Sequence, residues 1–167
     1  YFKKVTNLLF MSAEVALSAM KAKAKELGYE AEVFSENFQG EASILGPEIV
    51  KRDPREKVCL LGTGESTVQL TGGGKGGRST HMALSALPHI GKDQVLLALA
   101  SDGMDNTDAA GAIIDQPVIE KSTTLNLDPK KYLKDCDSYN FFRSTGDLVF
   151  TGLTGANVSD FFVVLKK

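Results

Sequence analysis

Residues that could bind a negatively charged group are concentrated in one stretch, STVQLTGGGKGGRSTHMALSAL, residues 66–87. An alternating run meets five glycines and one lysine, and Arg78 then opens a pattern typical of a partly apolar helix. Glycine lets another group approach the main chain closely. Free N–H groups before a helix N-terminus form an anion site, to which lysine and arginine add charged donors. We therefore predict that Arg78 is catalytic and that a phosphate or carboxylate is bound by Gly73, Gly74, Lys75, Gly76 and Gly77.

Known glycine-rich motifs fit this loop only in part. The Walker phosphate loop requires serine or threonine directly after the lysine of its Gly-Lys pair. Here Lys75 is followed by Gly76, so this motif is excluded. The dinucleotide fingerprint GxGxxG matches at Gly72, Gly74 and Gly77, between a predicted strand and a predicted helix. Asp102 lies further along the chain than the acidic residue of that fingerprint. Nicotinamide binding, and a tight strand-to-helix connection with no ligand, stay open as alternatives.

Three aspartates at a spacing of three, Asp102, Asp105 and Asp108, follow the most apolar predicted strand. Loops beyond the carboxyl ends of strands are where open α/β sheets bind ligands. Carboxylates there could bind Mg²⁺, accept a proton from a substrate hydroxyl, or pair with Arg78. We predict catalytic roles for Asp102 and Asp108 and metal binding by Asp102 and Asp105. The alternative for Asp108 is capping of a following helix.

A third polar stretch, TGLTGANVSDFF, covers residues 151–162. Its density of threonine and glycine is typical of a loop that presents hydroxyl and N–H groups. We predict that Thr154 and Asn157 contact the substrate or its phosphates, although the stretch could equally be a hairpin turn. His81, at the start of the helix after the glycine loop, is a further candidate ligand contact.

The elements that must position these groups alternate between helix and strand. The patterns predict helices at 12–27, 38–50 (interrupted at Gly46-Pro47), 78–90, from 107 to 114, and in part of 127–146. They predict strands at 30–35, 57–64 and 94–103, and two strand-like runs within 147–167. Such interleaving favours an α/β fold in which a mixed sheet is layered with flanking helices. We divide the chain into a segment 1–56 and a domain 57–167, packed as one compact unit.

The composition and net charge of the chain argue against nucleic acid and membranes as partners. The 167 residues are 43% hydrophobic and 24% charged, with a net charge of −2, so nothing draws the chain generally to nucleic acid or to an anionic membrane. Cys59 and Cys136 show neither CxxC nor metal spacing, which indicates reduced thiols and a cytoplasmic location. No apolar run approaches the ~18 residues of a membrane helix, and the apolar run within 1–10 is too short for a signal peptide.

Taken in order, four stretches resemble the MOFRL domain, the C-terminal part of one type of glycerate 2-kinase that is sometimes labelled hydroxypyruvate reductase. They are GESTVQLTGGGKGGR, SDGMDNTDAAGAIID, LDPKKYLKDCDSYNFF and GDLVFTGLTGANVSDFFVVL. The likeness extends from about Ala13 to the end of the chain. It implies Mg²⁺-dependent phosphorylation of the 2-hydroxyl of D-glycerate by ATP, in a cleft between two α/β domains. It also implies that the glycine loop and Arg78 face substrate or phosphates, with Asp102 and Asp108 at the cleft.

The sequence departs from that family in one motif. Family members continue the glycine loop as Gly-Gly-Arg-Asn-Gln-Glu, whereas here Ser79, Thr80 and His81 follow the arginine, so an imidazole replaces an acid. The family also implies a partner, an N-terminal kinase domain that supplies a lysine, either fused or as a separate subunit. A homo-oligomer, a stand-alone anion- or nucleotide-binding module, and a purely structural domain remain alternatives.

Overall fold

The computed structural model describes residues 4–6, 11–52 and 55–167. The N-terminal run considered as a signal peptide thus lies mostly outside the described residues, as do two residues of the connector after position 50. The helices are α1 (Ala13–Glu26), α2 (Ala42–Lys51), α3 (Arg78–Ala86, followed by a 3₁₀ turn Leu87–His89), α4 (Gln116–Thr124), α5 (Pro129–Lys134) and α6 (Ser138–Thr145). The strands are β1 (Glu30–Glu41), β2 (Val58–Thr67), β3 (Gln94–Ala100), β4 (Gly111–Ile114), β5 (Leu148–Val149) and β6 (Asp160–Lys166).

The strands form one mixed sheet in the order β1-β2-β6-β3-β4-β5. Among the strands of the described residues, β1 and β2 pair in parallel and all other neighbours pair antiparallel. The predicted α/β fold with a mixed sheet is confirmed. Because β6 is antiparallel to both of its neighbours, β2 and β3 end at the edge of the sheet where β6 begins. Asp160, the first residue of β6, pairs there with Gly64 of β2 and Ala100 of β3.

Helices cover both faces of the sheet, and each face has its own core. Alternate strand residues point to opposite faces, so Leu60 packs into the larger cluster and Leu61 into the smaller one. The larger cluster contains residues of α2, α3, α4 and α6, including the fully buried Phe141 and Phe142. The smaller cluster is closed by Leu17 of α1. Within the described ranges, every helix is too short or too polar to cross a lipid bilayer.

The prediction of a helix at 107–114 is wrong, because residues 107–110 form a loop and the following residues form strand β4. Gly111 lies so close to the backbone of Ala98 on β3 that a side chain would clash there, and the two strands pair directly. Four residues are too few to show the alternation of a strand. The helix of this region starts later, at α4, where the carboxylate of Asp115 accepts a hydrogen bond from Val118 N–H at 3.2 Å.

The helix predicted at 38–50 is partly wrong. β1 continues through Glu41, and α2 then runs without a break past Pro47. Gly46 is required by helix packing rather than by a turn, because a side chain there would clash with Ser85 and Met82 of α3. The sequence pattern identified the helix but misread its glycine as an interruption.

Candidate functional site

An open cleft of about 1170 Å³ lies at the edge of the sheet where β2 and β3 end and β6 begins. Its walls are the glycine loop, the first turns of α3, the loop after β3 and the start of β6. Most of the residues predicted for the site line this cleft, namely Gly73, Gly74, Gly76, Gly77, Arg78, Asp102, Asp105 and Asn157. Three predicted residues, Lys75, Asp108 and Thr154, are not among its lining residues.

The glycines of the loop are explained mainly by contacts with the chain itself. A side chain at Gly72 or Gly74 would clash with the backbone of Asp135. One at Gly76 would clash with Ser138. The N–H of Gly74 also donates to the carbonyl of Asp135 at 2.8 Å. The loop therefore lies against the turn between α5 and α6, and this close packing excludes side chains.

The N-terminus of α3 is already occupied by a carboxylate of the protein. Asp105, 4% exposed, accepts hydrogen bonds from the N–H groups of Ser79 at 3.0 Å and Thr80 at 2.8 Å. Burial raises the pKa of Asp105, while these hydrogen bonds act against the rise. The prediction that this helix end is open to an external anion is therefore corrected: Asp105 caps the helix, as a favourable charge at the positive end of the helix dipole.

Lys75 and Asp108 pair with each other away from the cleft. The Nζ of Lys75 lies 3.5 Å from Asp108 Oδ1 and 3.8 Å from the ring centroid of Tyr139. A hydrogen bond from Tyr139, and to a lesser extent the charge of Lys75, lower the pKa of Asp108. The phosphate-binding role predicted for Lys75 and the catalytic role predicted for Asp108 thus have no geometric support, because the aromatic face and the carboxylate together hold the ammonium group elsewhere.

Asp102 is the carboxylate best placed to act in the cleft. Its Oδ1 accepts the N–H of Met104 at 3.0 Å, and within the described ranges its Oδ2 has only a long contact of 3.5 Å with Asn157 Nδ2. Thr154 holds the backbone of this loop in place. Its N–H donates to the carbonyl of Asp102 at 3.1 Å, and its hydroxyl donates to the carbonyl of Ser101. The described residues contain no group of three or more His, Cys, Asp or Glu side chains that could hold a metal by themselves.

Arg78 is held between two carboxylates that the sequence reasoning did not select. Its Nε donates to Asp160 Oδ2 at 3.1 Å, and its Nη1 contacts Glu65. The side chain of Arg78 is 42% exposed and that of Asp160 8%. Burial raises the pKa of Asp160 to about 6, against the lowering effect of Arg78. The signal for Asp160 was available, since an acid in phase with the core residue Phe162 on a buried strand needs a partner.

The charge of the cleft also differs from the prediction. Among the described residues that line it, Arg78 is the only lysine or arginine. Four carboxylates surround it, those of Glu65, Asp102, Asp105 and Asp160, which gives the lining a formal charge of −3 when all are ionised. His81 is 6% exposed, and burial lowers its pKa, so its ring adds no positive charge at neutral pH. The cleft is therefore not a general anion-binding site, because its lining has one guanidinium group and four carboxylates.

These features define an α/β domain with a mixed sheet and an acidic cleft at one edge of that sheet. The chain belongs to the MOFRL family, whose model matches residues 58–160. It is 36% identical to the glycerate 2-kinase of Pyrococcus horikoshii, over 96% of this chain and 39% of that protein. It is 37% identical to the D-glycerate 2-kinase of Thermotoga maritima, over 87% of this chain and 38% of that protein. The crystal structure of a glycerate kinase from Thermotoga maritima superposes with a TM-score of 0.93 at 32% identity, covering all of this chain and 43% of that one. The chain spans about two-fifths of the length of these relatives.

A putative hydroxypyruvate reductase of Agrobacterium vitis is also similar, at 32% identity over 94% of this chain and 39% of that protein. The dinucleotide fingerprint, however, occurs here outside its structural context. That fingerprint belongs to a βαβ unit in a parallel sheet. In this fold the antiparallel strand β6 lies between β2 and β3, the two strands that the glycine loop and α3 connect.

Proposed function

We propose that the intact protein is a glycerate 2-kinase and that this cleft holds the D-glycerate. The observation that carries the proposal is the half-exposed guanidinium of Arg78 in the cleft that Asp102 also lines. Arginine binds a carboxylate through two parallel hydrogen bonds. Glu65, whose side chain is 65% exposed, is the partner that a substrate carboxylate would replace, because exposed ion pairs contribute little to stability. Asp160 would stay in place and orient the guanidinium.

Asp102 fits the magnesium ion that such a reaction uses. Mg²⁺ is usually bound by one or two carboxylates together with phosphate oxygens and water. Asp102 has an oxygen with only a long contact, whereas both oxygens of Asp105 already accept N–H groups of α3. We therefore retain Asp102 for the metal and assign Asp105 to capping. When bound, Mg²⁺ neutralises the charge that develops on the transferred phosphoryl group.

The acidic lining supports a need for positive charge beyond that of the described residues. Phosphoryl transfer depends on positioning and on neutralising negative charge, and one guanidinium among four carboxylates cannot do this for ATP. We propose that a second domain, fused or separate, closes the open side of the cleft, adds a cation and excludes water. The relatives have more than half of their length outside the matched region, which supports this part of the proposal.

The two free cysteines fit a cytoplasmic enzyme.

A coupled assay of ADP formation on the intact gene product, with D-glycerate and Mg-ATP, tests the proposal. Asp102→Asn keeps an oxygen for the N–H of Met104 but removes the charge, so kcat should fall at least 100-fold with the melting temperature unchanged. Asp108→Asn is the matched control and should change kcat less than twofold, because Asp108 does not line the cleft. An intact gene product without D-glycerate-dependent activity, or equal effects of the two substitutions, would overturn the proposal.

A further inference from the structure

One polar group in the wall of the cleft has no partner. Ser66, near the end of β2, is 1% exposed, and its Oγ makes no hydrogen bond within the described part of the chain. Buried side-chain hydroxyls are nearly always paired, and leaving one unpaired destabilises the folded state. Ser66 nevertheless lines the cleft that holds Arg78. A buried hydroxyl in that position is explained if a bound molecule completes its hydrogen bonding.

The strand register leaves room beside this hydroxyl. Ser66 is in phase with Leu60, which faces the larger core beneath α2 and α3. Its partner on the edge strand β1 is Gly40, which has no side chain and also lines the cleft. The β1 side of the cleft therefore offers an unpaired hydroxyl next to a position without a side chain.

The surroundings of Ser66 suit a neutral polar group of a small anion. Arg78 donates to Asp160, which pairs with Gly64 of β2, and Gly64 is in phase with Ser66, so Ser66 lies on the side of β2 where the guanidinium proposed to hold the carboxylate is bound. His81 follows Arg78 by one helical turn and therefore shares its face of α3. The ring of His81 receives no hydrogen bond from any described residue, and burial lowers its pKa. The neighbourhood thus combines one guanidinium with two neutral hydrogen-bonding side chains.

Ser66 and Asp102 lie on opposite sides of the cleft. Asp102 follows β3, Ser66 belongs to β2, and β6 with Asp160 lies between the two strands. Two strand spacings amount to about 10 Å. A three-carbon hydroxy acid held at its carboxylate by Arg78 can therefore present one hydroxyl toward Asp102 and the other toward Ser66.

We propose that Ser66 is a specificity-determining residue that hydrogen-bonds the non-reacting 3-hydroxyl of glycerate. This inference rests on the proposed function and adds to it that the 2-hydroxyl, which is phosphorylated, faces the side of the cleft where Asp102 lies. A site that hydrogen-bonds a substrate hydroxyl discriminates against the analogue that lacks it. Ser66 therefore selects for acids that carry a hydroxyl on the third carbon.

Calorimetric titration of the intact gene product with D-glycerate and with D-lactate tests the inference. D-Lactate has the same carboxylate and 2-hydroxyl in the same configuration but lacks the 3-hydroxyl. The unmodified protein should bind D-glycerate about tenfold more tightly, as expected for one net hydrogen bond. In Ser66→Ala the two affinities should differ by less than about twofold, with the loss mainly in D-glycerate.

Two controls separate binding from folding. Ser122→Ala removes another buried serine hydroxyl, on α4 and outside the cleft lining, and should keep the tenfold preference. Ser66→Ala should not lower the free energy of unfolding in urea, since Ser66 Oγ loses no partner. Undiminished preference in Ser66→Ala, or equal affinities in the unmodified protein, would overturn this inference alone. If neither acid binds, the proposed function is overturned and this inference with it.

Discussion

Asp160 shows how a single buried carboxylate determines the properties of the cleft. It is the first residue of β6, and its position between β2 and β3 buries it beside Arg78. Burial destabilises the ionised form, Arg78 favours it, and Asp105 and Glu65 oppose it. The resulting pKa of about 6 lies above the usual value of 3.8, so the folded state binds this proton more tightly than the unfolded chain.

A pH-dependent stability follows from this shift. The folded pKa is raised, so the stabilisation from the protonated form is present below about pH 4 and is lost as the pH rises to about 6. Asp160→Asn cannot titrate, so the wild-type stability minus that of the variant should fall between pH 4 and 6 and then level off. Urea unfolding followed by circular dichroism from pH 4 to 8 measures this difference. The exposed control Asp93→Asn should parallel the wild type, and a constant difference for Asp160→Asn would contradict the pKa assignment.

At the level of single residues, sequence reasoning identified the groups whose type implies function and missed those defined by their surroundings. Arg78 and Asp102 line the cleft as expected. Lys75 shares the loop and the charge but is held by an aromatic ring and a carboxylate. Ser66 was missed because a missing hydrogen-bond partner exists only in the folded chain, whereas Asp160 could have been selected from its phase with Phe162 on an apolar strand.

The glycine loop behaves as a packed element rather than as an open one. A side chain at Gly77 would overlap the carbonyl oxygen and the carboxylate group of Asp105, whereas nothing lies within 4 Å of one built at Gly73. Gly77→Ala should therefore lower the free energy of unfolding by about 1–3 kcal/mol, as overpacking does. Gly73→Ala, the matched control, should change it by less than about 0.5 kcal/mol. Chemical denaturation of both variants measures this, and equal effects would show that the contact with Asp105 is not rigid.

The capping of α3 gives a second prediction for an element. Asp105→Ala removes the acceptor for two N–H groups at the helix N-terminus and should cost about 0.5–2 kcal/mol of stability. Asp105→Asn keeps one acceptor oxygen and should retain part of that stability. Thermal unfolding with and without about 5 mM Mg²⁺ distinguishes capping from metal binding. A stabilisation by Mg²⁺ that both substitutions abolish would contradict the capping role.

Secondary structure was predictable where the pattern was long and failed where a neighbour decided it. The amphipathic pattern of α1 and the apolar run of β3 were sufficient to identify those elements. β4 has four residues and is a strand because Gly111 lies against β3. α2 continues past Pro47 because Gly46 packs against α3. Both errors arose at glycines whose role is set by a partner distant in sequence.

The whole molecule places its last strand in the middle of the sheet, and this topology creates the site. Until β6 pairs with β2 and β3, Asp160 is not beside Arg78, and the loops after β2 and β3 are not joined across one edge. The chain spans about two-fifths of its curated relatives, and its cleft is open and acidic. At this scale we therefore expect the domain to contribute substrate recognition, with part of the phosphate-binding charge supplied by another domain.

The most direct test of this account is the KM for D-glycerate of the intact gene product carrying Arg78→Ala. A charge-assisted hydrogen bond contributes about 1.5–3 kcal/mol, so we expect that KM to rise at least tenfold while the KM for ATP changes less than threefold. Lys75→Ala, which removes a neighbouring charge that does not line the cleft, should leave both constants unchanged. A KM for D-glycerate that is unchanged in Arg78→Ala would contradict the claim that this guanidinium binds the substrate.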